Sequence, residues 1–271
     1  MKPYRFSAFS DEVDPDPTKA FNIMRDLAVE EIQMRSVKGV NVMELNDDQI
    51  GEVKTIALSL GLKFHAVGSP VGKTYIEDSQ EETLESVKIA ADIAHKLDTT
   101  RIRIFSFYRE KSLPNNIYRN LVIERLNMMT DIATVNGVKL IHENEKDIYG
   151  DTAEKCMDIL ENVNNLECCF DFANFIQVGQ DINKAWNLLE KRVCYFDIKD
   201  ALTRDGTVVP AGEGDACIVN TLRKALNSGF KDCFNLEPHL QIAGHSGGYS
   251  GPQLFKIAVK ALEKCLTLAS K

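Results

Sequence analysis

Short apolar runs alternate with longer amphipathic segments eight times along this chain. The short runs have the length and apolar character of buried parallel strands, and the longer ones show helical periodicity. Strands are predicted at residues 5–10, 31–37, 63–68, 101–107, 139–144, 167–171, 193–199 and 233–237. Helices are predicted between them at residues 16–28, 47–60, 79–97, 115–136, 152–162, 182–189, 215–228 and 253–268.

Strand–helix alternation of this regularity indicates parallel strands joined by right-handed crossovers. The simplest closed form is a (β/α)8 TIM barrel, and 271 residues suit one such domain spanning 1–271. The alternative is an open doubly wound sheet. That fold usually carries a G-x-G-x-x-G turn after its first strand, and the sequence has none there.

Local signals mark several helix ends. Asp78 or Ser79 can cap the third helix at its N-terminus. Gly61, Gly137 and Gly229 each follow a helical pattern, at the position where a left-handed residue ends many helices.

Composition narrows the classes of function. The net charge of −8 disfavours binding to nucleic acid, which is itself negatively charged. No apolar run approaches the length of a membrane span, and residues 1–12 do not have the pattern of a secretion signal. Seven cysteines lack any C-x-x-C spacing, which favours reduced, mostly buried thiols. A cytoplasmic protein with no nucleic-acid or membrane partner is expected.

Four acidic residues lie at or near the predicted C-terminal ends of four successive strands: Glu143, Asp171, Asp197 and Glu237. In a parallel barrel these strand ends converge on the face that carries the chemistry. Four carboxylates gathered there repel one another unless a cation is present, and oxygen ligands favour Mg²⁺ or Mn²⁺ over Zn²⁺. The alternative is that some of them are helix caps or surface loop residues.

The motifs around these acids carry a family resemblance. H-E-N-E, D-F-A-N-F, D-I-K-D-A followed by P-A-G-E-G-D, and L-E-P-H-L followed by G-H-S-G-G-Y-S-G-P occur in this order, each at the end of its own strand. Over nearly the whole chain the sequence resembles the sugar phosphate isomerase/epimerase family. These are xylose isomerase-like TIM barrels, related to ketose 3-epimerases and to DNA repair enzymes of the endonuclease IV type.

The resemblance implies one metal ion, held by Glu, Asp, His and Glu from strands five to eight. The oxygen-rich ligands favour Mn²⁺ or Mg²⁺, with Zn²⁺ also possible. Glu143, Asp171 and Glu237 match three of these ligands. Asp197 stands where the family usually has the histidine of H-x-K-D. The carboxylate either completes an all-oxygen site or abolishes metal binding, and His239 is a possible nitrogen ligand.

The resemblance also implies an activity, namely metal-dependent isomerisation or epimerisation of a sugar, sugar phosphate or related polyol. Barrels of this family often pair, so a homodimer is possible. Glu143 and Glu237 would be the catalytic acid and base on either side of an enediolate. One alternative is a non-catalytic sugar-binding or regulatory protein with an altered metal site. Another is an endonuclease IV-type hydrolase, which five poorly placed histidines and the acidic composition disfavour.

Further polar residues are candidates for binding the substrate: Lys199, Arg35, Glu145, Asn174, Lys73, His239 and His245. Lys73 and His245 belong to glycine-bearing loops, 69–73 and 244–251, that could hold a phosphate. Lys199 and Arg35 either contact substrate or pair with the neighbouring acids. For Arg103 an internal ion pair is favoured. His65 and His95 are expected to be structural, and Trp186 to lie in the core.

Overall fold

A computed structural model describes residues 4–243 and 248–271. Eight parallel strands close into a barrel in which each strand pairs with its neighbours in the chain, and the eighth pairs with the first. The strands are β1 (Arg5–Phe9), β2 (Glu31–Met34), β3 (Lys63–Gly68), β4 (Arg101–Ile104), β5 (Lys139–Glu143), β6 (Glu167–Asp171), β7 (Val193–Ile198) and β8 (Cys233–Leu236). The predicted TIM barrel is therefore confirmed.

Helices surround the barrel. Within the described residues they are α1 (Pro17–Asp26), α2 (Asp47–Ser59), α3 (Gln80–Lys96), α4 (Asn115–Val135), α5 (Ala153–Asn162), α6 (Phe172–Gln177), α7 (Ile182–Leu189), α8 (Ile218–Asn227) and α9 (Gly251–Ala269). Short 3-10 turns cover Ser10–Glu12, Val42–Glu44 and Tyr149–Asp151. Two small antiparallel ladders pair Ser36–Val37 with Val40–Asn41, and Asp200–Ala201 with Val208–Val209.

The predicted helix ends agree closely with the structure. Ser79 rather than Asp78 caps α3, because its hydroxyl accepts the backbone N–H of Glu82 at 3.2 Å. The glycines that were expected to end helices at 61, 137 and 229 have φ of 73°, 67° and 86°. The prediction for residues 215–228 was wrong at its start, because Cys217 adopts φ 50° and α8 begins only at the next residue.

The apolar faces of the strands and helices pack in one continuous layer outside the barrel wall. Phe170, Phe196 and Phe234 of adjacent strands stack or meet edge to edge, and Trp186 of α7 stacks on Phe196 at 5.4 Å. Inside the barrel a much smaller group, including Tyr195, fills the lower half. The cysteines are free thiols and most are buried, as expected.

Charged residues close the N-terminal end of the barrel. Arg5 pairs with Glu31 at 2.8 Å, and Glu31 accepts a hydrogen bond from His65 at 3.0 Å. Arg101 contacts the other ring nitrogen of His65 at 3.2 Å and pairs with Asp232 at 2.5 Å. His65 therefore has the structural role that was expected. These contacts lie at the opposite end of the barrel from the strand-end acids.

Within residues 4–243 and 248–271, no helix is long and apolar enough to cross a lipid bilayer.

Candidate active site

The four strand-end acids meet inside the C-terminal mouth of the barrel. Glu143 ends β5, Asp171 ends β6, Asp197 lies near the end of β7, and Glu237 follows β8. One carboxylate oxygen from each lies within 4.8 Å of the others, and all four side chains are buried. The interpretation of these residues as surface loop residues is wrong, although Asp171 does also cap a helix.

Asp197 has both of its carboxyl oxygens in hydrogen bonds. The side-chain amide of Asn235 donates to one oxygen at 2.5 Å, and the Cys169 thiol donates to the other at 3.0 Å. Burial raises the pKa of Asp197 well above its usual value, and the charges of Glu143 and Glu237 raise it further. Both effects disfavour the charged form of this carboxyl.

Three buried cations neutralise the remaining acids. Lys199 lies 2.8 Å from Asp171 and 3.1 Å from Glu237. Arg103 pairs with Glu143 at 2.9 Å, which confirms the expected internal ion pair. Arg35 pairs with Glu237 at 3.1 Å and also contacts acidic residues at the end of β1. Lys199 and Arg35 thus pair with the acids while also lining the cavity.

The surroundings move the pKa values of Glu143 and Glu237 in opposite directions. Burial raises the pKa of Glu143, and the nearby Arg103 offsets this only in part. Burial would also raise the pKa of Glu237, but Lys199 and His239 hold it well below its usual value. Burial also raises the pKa of Asp171, to about 7, although the charge of Lys199 lowers it. Two carboxyls with divergent pKa values in one site are suited to separate acid and base roles.

A cavity of about 350 Å³ opens above the acids and brings most of the predicted substrate-binding residues together. Lys73 donates to Glu145 at 2.9 Å, and both residues line the cavity. The Asn174 amide donates to Glu143 at 3.3 Å, and His239 lies 3.5 Å from Glu237. His245, the predicted substrate-binding residue of loop 244–251, lies outside the described residues.

Sequence reasoning missed several residues of this site. Glu12 is fully buried, lies 3.0 Å from His239 and accepts the Ser250 hydroxyl at 2.9 Å. It ends the 3-10 turn that follows β1, just beyond the strand-end positions at which the other acids were found. Lys146, Tyr108 and Gln177 also line the cavity. Tyr108 and Lys146 come from connecting segments and Gln177 ends the short helix α6, and in neither setting does a periodic pattern predict which side chain turns inward.

The acid cluster fits a divalent metal in its donor chemistry. Four carboxylates whose oxygens lie within 4.8 Å of one another form the all-oxygen environment that Mg²⁺ and Mn²⁺ prefer. Glu143, Asp171 and Glu237 are the available donors, whereas Asp197 holds its oxygens in hydrogen bonds. These residues can hold a metal, but each of them is also in an ion pair with Lys199 or with one of the two arginines.

The sequence agrees with one family description over most of its length, since the model of the xylose isomerase-like TIM barrel family matches residues 22–265. The chain belongs to this family. A search of curated protein sequences found no significant match.

Solved structures of similar shape include several members of this fold. A xylose isomerase domain protein from Alicyclobacillus acidocaldarius has a TM-score of 0.75 at 15% identity, covering 99% of this chain and 100% of that one. A xylose isomerase-like TIM barrel protein from Mycobacterium smegmatis, in complex with magnesium, has a TM-score of 0.71 at 16% identity, with coverages of 98% and 96%. D-psicose 3-epimerase from Clostridium cellulolyticum H10, with D-tagatose, has a TM-score of 0.72 at 14% identity, with 98% of each chain covered. At these identities the similarity is one of fold.

Proposed function

We propose that the protein is an isomerase or epimerase of a sugar, a sugar phosphate or a related polyol, which acts by proton transfer through an enediolate. The observation that carries the proposal is the pair of glutamates, Glu143 and Glu237, that line one cavity with oppositely displaced pKa values. Membership in the xylose isomerase-like family and the ketose epimerase among the similar structures support it.

The two glutamates suit different steps. Glu237 remains a carboxylate at neutral pH, because Lys199 and Arg35 contact it, and it is the base that removes a carbon-bound proton. Glu143 has the raised pKa that an acid needs, and it returns a proton to the planar intermediate. Inversion at a carbon requires two such groups facing the intermediate from different directions.

The cavity also supplies positive charge for the oxyanion of the intermediate. Lys199 and Arg103 both line it and are buried, so their charges act in surroundings that screen them weakly. Glu143, Asp171 and Glu237 would hold a divalent ion, Mn²⁺ or Mg²⁺. When bound, that ion would polarise the carbonyl and the adjacent hydroxyl of a sugar.

Hydrogen exchange tests the proposal without knowledge of the product. Ketoses, aldoses and their phosphates are incubated in D₂O with the protein and with Mn²⁺ or Mg²⁺. Deuterium entering at a carbon next to the carbonyl is followed by NMR. Glu143→Gln and Glu237→Gln should each slow exchange by at least about 100-fold, the usual contribution of a positioned acid or base. The control is Glu161→Gln, an exposed glutamate on α5, which should exchange at the wild-type rate.

Wild-type exchange in both active-site variants would contradict the assignment of the acid and the base. A second function is favoured by one observation, namely that Lys199, Arg103 and Arg35 already neutralise the acids. A non-catalytic sugar-binding protein would need such neutralisation but no proton transfer. Sugar binding by calorimetry, with no deuterium incorporation under any metal loading, would support this alternative.

A further inference from the structure

Lys199 stands within the acid cluster itself. It directly follows β7, and its side chain is only 5% exposed. The ammonium nitrogen bridges two carboxylates, at 2.8 Å from an oxygen of Asp171 and 3.1 Å from an oxygen of Glu237. The two arginines differ in this respect, because each pairs with a single acid of the cluster. Arg103 pairs with Glu143, and Arg35 pairs with Glu237.

The two carboxylates that Lys199 bridges are also donors of the candidate metal site. Asp171 and Glu237 both belong to the set of acids whose oxygens lie within 4.8 Å of one another. A divalent ion held by this set would lie within a few ångströms of the ammonium. Two cations that close together, in a buried site, repel each other strongly. The ammonium and a metal ion therefore cannot both use Asp171 and Glu237 in the arrangement described here.

We propose that Lys199 is the resident counter-ion of the cluster and competes with divalent metal ions for Asp171 and Glu237. Metal binding then requires the ammonium to leave its position between the two carboxylates. The side chain has space to do so, because Lys199 forms part of the wall of the open cavity. The inference rests on the proposed function only in taking the acid cluster as the metal site.

The competition has two consequences that can be measured. Removing the charge of Lys199 leaves its two carboxylates without that counter-ion, so the metal-free protein should be less stable. The same change should tighten metal binding, because the metal no longer has to displace a cation. A purely structural role for the lysine predicts the first consequence but not the second.

Binding of Mn²⁺ alone to chelator-treated protein tests this by titration calorimetry, with no substrate present. Lys199→Met should bind Mn²⁺ at least about tenfold more tightly than the wild type, because the like charge is removed. Lys146→Met is the matched control. Lys146 also lines the cavity, but its ammonium donates to the side-chain oxygen of Gln177 at 3.3 Å and has no described contact with the four acids of the cluster. Its Mn²⁺ affinity should remain within about threefold of the wild type.

A second variant and a second measurement support the titration. Lys199→Gln also removes the charge and keeps a hydrogen-bond donor, so it should tighten Mn²⁺ binding in the same direction. In thermal unfolding, the metal-free Lys199 variants should melt below the wild type, and Mn²⁺ should raise their melting temperatures more than it raises that of the wild type. Equal or weaker Mn²⁺ binding in either folded variant overturns the proposal, as does the absence of binding in all of the proteins. A protein that fails to exchange hydrogen with any sugar would refute the proposed function and leave this result unaffected.

Discussion

His142 is a buried histidine that should make the fold sensitive to mild acid. Its side chain is fully buried in the layer between β5 and the helices, and its Nε2 lies 2.9 Å from the Ser106 hydroxyl. Gly150 packs so closely on the ring that a Cβ at that position would lie 2.3 Å from the imidazole. Burial lowers the pKa of His142 from 6.5 to about 3. The folded protein therefore holds this residue neutral over the physiological range.

The sign of the effect follows from the lowered pKa. Below pH 6.5 the unfolded chain binds a proton at His142 that the folded protein does not bind until about pH 3. Stability is therefore lost as the pH falls through this window. With these two pKa values the loss is roughly 0.2 kcal/mol at pH 7, roughly 2 kcal/mol at pH 5 and at most about 5 kcal/mol below pH 3.

Urea unfolding at pH 7 and at pH 5 measures this contribution in the wild type and in His142→Gln. Glutamine keeps a polar group near the position of Nε2 but does not titrate, so it removes the proton linkage even if it lowers stability at both pH values. Other groups titrate equally in the two proteins. We expect the wild type to lose about 2 kcal/mol more than the variant between pH 7 and pH 5. The same loss in both proteins would refute the reasoning.

Two further changes test the packing around the cavity, both by urea unfolding at pH 7. Arg103→Met should lower the free energy of unfolding by about 3–5 kcal/mol, because it leaves Glu143 buried without its partner. Adding Glu143→Gln to this variant should restore more than half of the lost free energy. If the losses of the two single variants simply add in the double variant, the ion pair does not contribute as described. Gly72→Ala should cost about 2 kcal/mol more than Gly61→Ala, since both glycines have positive φ but only at Gly72 would a Cβ lie 2.2 Å from the Phe105 carbonyl oxygen. Equal losses would show that the close approach is relieved without strain.

The strands of the barrel could be predicted because each is a short apolar run bounded by polar segments. Helix α6 could not, since its residues, Phe172–Gln177, are almost all buried and continue directly from β6. A helix of six residues spans less than two turns, which is too short for a helical repeat of apolar positions to be recognised. The sequence therefore predicted a longer connection after Asp171 than the structure contains.

The convergence of the four acids was predictable once the strands were predicted, because it depends only on the order of the elements. The way in which their negative charges are neutralised was not predictable. Lys199 and Arg35 were equally compatible with substrate contact and with ion pairing, and the choice depends on distances across the barrel that no local pattern encodes. Asp197 illustrates the limit, because its raised pKa depends on burial and on acids from other strands.

Asp171 performs two tasks with its two oxygens. One accepts the backbone N–H of Asn174 at 2.8 Å and so begins α6, and the other lies 2.8 Å from the ammonium of Lys199. Asparagine at this position could begin the helix but could not balance a cation. Glutamate could balance the cation, but its longer side chain is a poor helix cap. Among the twenty amino acids only aspartate combines both properties. Position 171 is therefore restricted to aspartate for as long as the helix and the cation both remain.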